Sequence, residues 1–161
     1  MAKQSPERQL DAFLARFDPA IARVARGARL KLRRLLPGAL ELVYDNYNAL
    51  AIGFGPTDRA SDVIMSIALY PRWVSVFFMR GAELPDPLAL LKGEGKQVRH
   101  MVLGGPAMLD QPGVRALVRA AVSRHPKALG PASGRRTIIK SVSAKQRSRR
   151  PREQRGRTTR S

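Results

Sequence analysis

The fold of this chain is decided by residues 50–79, which read LAIGFGPTDRASDVIMSIALYPRWVSVFFM. Apolar side chains alternate with small or polar ones in three runs, 50–54, 63–69 and 74–79, and a period of two is typical of β-strands. Turn residues separate the runs, as in Gly-Pro-Thr-Asp at 55–58. Connections this short cannot bring the chain back for a parallel strand, so we expect an antiparallel meander.

The pattern extends outward from this meander in both directions. Residues 42–47 and 98–103 read as further strands, the second of them after a long connection at 80–96 that is rich in glycine and proline. Loops of this length inside compact domains are often functional. The Thr137–Val142 segment is dense in β-branched residues and predicts one more strand, at an edge of the sheet.

Helical signals flank the strands. Ser5-Pro6 and Asp18-Pro19 each combine a capping residue with a proline at the first helical position, which predicts helices within residues 6–36. An apolar stripe predicts a last helix over 111–125. The predicted fold class is therefore α+β, with an antiparallel sheet of about five to six strands and the N-terminal and C-terminal helices packed on one face.

The second predicted helix is amphipathic in an unusual way, because its polar arc consists of arginines. We expect that arc to face solvent while the apolar arc packs in the core. The arc contains Arg23, Arg26, Arg29, Arg33 and Arg34.

Positive charge is unevenly distributed and is concentrated near the C-terminus. Its formal net charge is +18, from 30 Lys and Arg against 12 Asp and Glu, and 11 of the basic residues but only one acidic residue follow Leu129. With the edge strand counted in, the domain is predicted to span 1–142, and residues 143–161 are predicted to form a disordered basic tail, because they lack the apolar area that would offset ordering. The tail's cations are Lys145, Arg147, Arg149, Arg150, Arg152, Arg155, Arg157 and Arg160.

Such a tail is expected to attract nucleic acid or another polyanion without reading its sequence. The alternative is a solubilising tail with no selected partner, and the sequence does not separate the two. No apolar run approaches the roughly 18 residues that cross a bilayer, so we expect a cytoplasmic protein with no membrane partner.

The amino-acid composition excludes several kinds of catalytic and metal-binding site. The chain contains no Cys and only two His, which excludes thiolate metal sites and cysteine nucleophiles. Nothing in the sequence pairs a nucleophile with a base and an orienting carboxylate, so no catalytic residue, no metal ligand and no cofactor is predicted.

Residues 36 to about 122 resemble the YdhG-like domain family of bacterial proteins, mostly of unknown function. The resemblance depends on the order and spacing of several segments: Leu36-Pro37-Gly38-Ala39-Leu40-Glu41, Tyr44-Asp45-Asn46-Tyr47, Trp73 to Phe78 leading to Arg80-Gly81-Ala82-Glu83-Leu84, Asp86-Pro87, and Leu91 to Lys96 running into Val98-Arg99-His100. It implies an α+β sandwich with the 81–96 loop as a signature. Some family members are described as frataxin-like iron chaperones, so iron delivery is an alternative function. The acidic ridge that frataxin-type binding uses is reduced here to Glu7, Asp11 and Asp18, followed by arginines, and a cationic surface repels ferrous ions.

Two groups of residues are candidates for binding a small ligand or a partner near the 81–96 loop. In the first group, polar and aromatic side chains meet at a strand end. They either hold a ligand or pack across strands, and cross-strand packing is favoured. In the second, glycines beside lysines either cradle an anion or permit a tight structural path, again the favoured reading. The candidates are Tyr44, Asp45, Tyr47, Asn48, Gly81, Lys92, Gly93, Gly95, Lys96, Arg99 and His100. The predicted function is that of a non-enzymatic binding protein with a polyanion-attracting tail.

Overall fold

The computed structural model describes residues 4–151. Helix α1 (Pro6–Leu14) and helix α2 (Pro19–Leu35) each begin with a proline, and the Ser5 hydroxyl caps α1 by accepting a hydrogen bond from a backbone N–H. Helix α3 (Pro112–Arg124) follows the fifth of six strands. These helices lie where the capping signals and apolar stripes predict them. Within the described residues, no helix has the length and apolar character needed to cross a bilayer.

Six strands form a single sheet in the order β5-β4-β3-β2-β1-β6. They are β1 (Leu40–Asp45), β2 (Leu50–Gly55), β3 (Met65–Leu69), β4 (Val74–Phe78), β5 (Arg99–Leu103) and β6 (Thr137–Val142). The first five form the expected antiparallel meander. The α+β fold is thus confirmed, but β6 pairs with β1 in parallel, so the sheet is mixed rather than wholly antiparallel. The chain between β5 and β6, which contains α3, is long enough for that crossover.

The core lies between the helices and one face of the sheet. Alternate residues of the meander, such as Ile52, Ile67 and Val76, are fully buried in one cluster with Leu32 of α2 and Leu117 of α3. The opposite face carries small side chains on β2 and β3, and a second, smaller apolar cluster around Leu40, Leu42 and Val63. This layering follows from the two periods in the sequence, 2.0 for the strands and 3.6 for the helices, since each places apolar groups on one side.

Strand β1 departs from this apolar pattern on its helix-facing side. Glu41 and Asp45 alternate with Val43 there, and they are only 0% and 1% exposed. A buried carboxylate requires a cation or several hydrogen-bond donors, because its desolvation is costly. Both residues are paired with arginines, and the closest partners of the two come from different parts of the chain.

Glu41 is held by the second helix, and this corrects the expectation for the arginine arc. Arg29 Nε donates to Glu41 Oε1 at 2.6 Å and Arg33 Nε donates to Glu41 Oε2 at 2.7 Å. Arg29 is only 8% exposed, whereas Arg23, Arg26 and Arg34 face solvent as predicted. The prediction for Arg29 is wrong because its arc passes over the buried carboxylate of a strand that helical periodicity alone does not locate.

Candidate functional site

An open cleft lies at the end of the sheet where β1 finishes. Its walls are the β1–β2 turn, the β3–β4 turn and the last described residues of the chain. Its volume is about 1070 Å³. The lining residues are Tyr47, Asn48, Tyr70, Pro71, Arg72, Trp73, Gln146, Arg147, Ser148, Arg150 and Pro151.

The C-terminal wall reaches the cleft because β6 is parallel to β1. Val142 is paired with Asp45, and the chain then continues alongside the β1–β2 turn. The backbone N–H of Ser143 donates to the Asp45 carbonyl at 2.8 Å, and that of Arg147 donates to the Tyr47 carbonyl at 2.9 Å. Residues 143–151, called the C-terminal strap below, therefore follow the turn closely.

Arg149 fixes the strap to the domain. Its side chain is 2% exposed, and Nη2 donates to Asp45 Oδ1 at 2.8 Å and to the carbonyl of Asn46. The guanidinium also lies 5.6 Å from the centre of the Phe17 ring, within the range of a cation–π contact. One basic residue thus supplies an ion pair, a main-chain contact and an aromatic contact together.

These contacts correct the predicted tail boundary. Disorder was predicted from Ser143, but residues 143–151 lie on the domain, because the buried carboxylate of Asp45 offers a partner that composition alone does not reveal. The remaining predicted cations, Arg152, Arg155, Arg157 and Arg160, lie outside the described residues.

Aromatic rings are exposed on two walls of the cleft. Trp73 is 43% exposed and stacks on Tyr70 with 4.7 Å between ring centres. Tyr47 is 47% exposed, and the Arg147 guanidinium lies 5.5 Å from its ring centre. Trp73 stands in the β3–β4 turn, with part of its ring open to solvent.

The charge of the cleft is uniformly positive. Among the described residues that line it there are three arginines, Arg72, Arg147 and Arg150, and no Asp or Glu. The nearest partial compensation is Asp18, whose Oδ1 lies 3.9 Å from Nη1 of Arg150. At that distance, and with both side chains about half exposed, the pairing leaves the Arg150 charge largely available.

The first group of predicted ligand residues is divided by the structure. Tyr47 and Asn48 line the cleft. Asp45 is occupied by Arg149. Tyr44 lies on the opposite face of β1, half-buried against the cluster of Leu40, Leu42 and Val63, and burial raises the pKa of its phenol.

The second group lies at the diagonally opposite corner of the sheet. Strands β1 and β5 are separated by three others, so their spacing is about 19 Å. Along the strands, Arg99 pairs with Phe78 at the end remote from the cleft. The cluster of Gly81, Lys92, Gly93, Gly95, Lys96, Arg99 and His100 therefore does not join Tyr47 and Asn48 in one site.

The 81–96 loop is organised by its own hydrogen bonds. The Asp86 carboxylate accepts from the backbone N–H groups of Leu90 and Leu91 at 2.8 and 2.9 Å, and Lys92 forms a two-bond bridge with His100. Gly93 has φ +124°, a conformation that L side chains rarely adopt. A crevice beside the loop, lined in part by Arg80 and Leu84, measures about 10 Å³, roughly one water molecule. These contacts favour the structural reading of the loop.

A metal site has no support in the described part of the chain. Between residues 4 and 151, no three His, Asp or Glu side chains are grouped closely enough to hold an ion. Of the predicted acidic residues, Glu7 is paired with Arg29 at 2.8 Å and Arg33 at 3.2 Å. Burial alone raises the pKa of Glu7, but hydrogen bonds from Arg29 and Thr137 and the two positive charges outweigh it, so the pKa is lowered.

Sequence reasoning did not select Tyr70, Arg72 and Trp73 as site residues. The available signal is composition, since the turn Tyr70-Pro71-Arg72-Trp73 places two large aromatics where turns are usually small and polar. Because connections usually run over the surface, two large rings in one turn are a signal of exposed aromatic area. Which segment faces that turn depends on the strand order.

Comparisons with protein-family models, curated proteins and solved structures find no match for this chain. The resemblance to the YdhG-like family therefore stays a prediction.

Proposed function

We propose that this protein is a non-enzymatic binding protein for single-stranded nucleic acid, which it holds in the cleft between the two turns and the C-terminal strap. The observation that carries the proposal is the combination in one cleft of exposed Tyr47 and Trp73 rings with three arginines, while none of its described lining residues is a carboxylate.

Each component matches one part of a nucleotide. Arginine guanidinium groups neutralise and hydrogen-bond phosphates, and every phosphate contact releases counterions. Aromatic rings stack on bases regardless of base identity. Because a stacking ring needs an unpaired base, exposed aromatics favour single strands over duplex.

The arrangement differs from a plain basic tail. A polycation without aromatics binds any polyanion by charge alone and offers no stacking. Here Arg147 and Arg150 stand on the strap opposite a Tyr70–Trp73 stack, so charge and stacking surfaces face one space. The expected selectivity is for chemical class, single strand over duplex, with little dependence on base sequence.

The chain carries its own reporter for this proposal, since Trp73 is its only tryptophan. Titrating oligo-dT or oligo-U into the full-length protein is expected to quench Trp73 fluorescence, because a stacked base alters the indole environment. Replacing Tyr47 by Ala is expected to weaken binding by about 5- to 100-fold, as the loss of one base–aromatic stack implies.

Two matched controls separate the cleft from general charge. Arg26→Ala removes a cation from the exposed face of α2, away from the cleft, whereas Arg72→Ala removes one inside it. We expect only the second to lower affinity markedly. Heparin tests charge without bases. The proposal is overturned if duplex DNA or heparin binds as tightly as oligo-dT and oligo-dT leaves Trp73 fluorescence unchanged.

A further inference from the structure

The strap presents its basic residues in two directions. Arg147 and Arg150 face the cleft, whereas Arg149 between them points into the domain. Of residues 143–151, only Arg149 is buried; Arg147 and Arg150 are exposed, and the others are exposed or half-buried. The inward arginine is therefore the main side-chain anchor of a segment that otherwise touches the domain through main-chain hydrogen bonds and a few polar contacts.

Those other contacts are weak holders by comparison. Gln146 accepts a hydrogen bond from Arg16, and the Arg150 Nε donates to the Arg16 carbonyl at 3.2 Å, both at exposed positions. The amide of Gln146 also donates to the Asp45 carbonyl at 2.9 Å in a partly buried contact, but it is uncharged. Exposed polar contacts of this kind exchange readily with water, so they add little net stability. A short cationic segment held only by them would fray, since it also has to offset its loss of conformational freedom.

The arrangement at Arg149 is different because both charges are buried. Asp45 is 1% exposed, and besides Arg149 its charged neighbour is Arg16, whose Nη1 lies 3.6 Å from Oδ2. Releasing the strap would leave that carboxylate without its buried partner, which costs far more than breaking an exposed pair. The Asp45–Arg149 pair therefore determines whether Arg147 and Arg150 stand at the cleft or move freely.

We infer that Arg149 is a positioning residue for nucleic-acid binding: paired with Asp45, it holds the strap so that Arg147 and Arg150 form a fixed cationic wall, without touching the nucleic acid itself. The inference rests on the proposed function of the cleft. A wall that is already fixed raises the affinity, because binding then does not have to order the strap and lose its conformational entropy.

The test uses Asp45→Asn in the full-length chain, with binding of oligo-dT measured at several salt concentrations. This substitution makes the protein more positive by one charge, so charge alone predicts tighter binding. Positioning predicts the opposite. We expect about tenfold weaker binding and a salt slope smaller by about 1.4, the equivalent of two lost single-strand phosphate contacts.

Further variants keep the inference open to refutation if Asp45→Asn folds poorly. Arg149→Ala is compared with Lys145→Ala, which removes the same charge from an exposed strap residue outside the cleft lining. Arg149→Lys keeps the ion pair but loses the forked contacts to the turn carbonyls, so its affinity is expected between wild type and Arg149→Ala. A fold-stability defect alone would not change the salt slope of the folded fraction.

The outcomes distinguish the two proposals. If wild type binds oligo-dT with quenching of Trp73, but Asp45→Asn binds as tightly or more tightly, or Arg149→Ala matches Lys145→Ala in affinity and slope, the positioning role is wrong while the cleft stands. If wild type shows no quenching and no preference for single strands, the proposed function fails first.

Discussion

Glu41 and Asp45 stand four residues apart on the same face of the same strand, both almost fully buried, yet their surroundings differ. Glu41 lies between the N-terminal helices and β6, where Arg29, Arg33 and Arg135 all reach it within 3.3 Å. Asp45 lies at the end of the strand and is paired with Arg149 from the C-terminal strap. The first site links α1, α2 and β6 to β1, whereas the second links the strap to the end of that strand.

The network around Glu41 spans four elements. Arg29 Nη2 also donates to Glu7 of α1 and to the Thr137 hydroxyl of β6, which in turn donates to Glu7 at 2.6 Å. The charges are thereby shared and hydrogen-bonded, the condition under which a buried ion pair is tolerated. Asp45 has fewer partners: its closest contact is with Arg149 of the strap at 2.8 Å, and its second cation, Arg16, lies 3.6 Å away.

The largest effect is expected from Glu41→Gln. The substitution leaves Arg29 buried without its closest anion, and breaking a buried ion pair costs about 3–5 kcal/mol. Urea denaturation followed by circular dichroism measures the loss. Glu94→Gln, at an exposed loop position, is the matched control and should unfold like wild type. Equal midpoints for the two variants would show that the network does not stabilise the fold.

A smaller loss is expected when the chain ends after Val142. Asp45 then loses Arg149, but water and the half-exposed Arg16 can approach the carboxylate, so we expect about 1–3 kcal/mol rather than the full cost of a sealed site. A chain ending after Pro151 retains the strap and serves as the control. If the shorter chain is as stable as the longer one, the strap is only loosely attached and the original boundary at Ser143 is the better description.

The smallest effect is expected from Glu7→Gln, and it depends on pH. The pKa of Glu7 is lowered in the folded protein, so its contribution is present above the ordinary value of 4.5 and is lost as pH falls through the lowered value. The glutamine variant should therefore lose less stability than wild type on acidification below pH 4.5. The side chain is half exposed, so the difference should be small and shrink with added salt. Parallel stability–pH curves for the two proteins would contradict this.

Much of the fold could be predicted because its signals are local. Alternation located the meander, proline caps located α1 and α2, and β-branched density located β6. The direction of β6 could not be predicted, since a long connection allows either edge and either orientation. The cleft was predicted only in part. Tyr47 and Asn48 were among the residues predicted from the sequence to bind a ligand, but no residue of the turn that contains Trp73 was.

The two arginines that were wrongly predicted to be exposed have one cause in common. Composition treats an arginine-rich arc or tail as solvated, which is correct for Arg23 and Arg26 but not for Arg29 and Arg149. A signal was present, because alternation along β1 places Glu41 and Asp45 on the same side as buried Val43, and a carboxylate there requires a cation. The sequence does not state which of its 30 basic residues that cation is.

Composition and periodicity by themselves determined an α+β domain, free of cysteine chemistry and strongly cationic toward its C-terminus. Only the tertiary structure decided that Arg29 and Arg149 are buried as counterions of Glu41 and Asp45 and that the strap meets the exposed aromatics of two turns. The physical reason is that burial and pairing of charges depend on distances across the sheet, and residues as far apart as Asp45 and Arg149 acquire such a distance only when β6 aligns with β1.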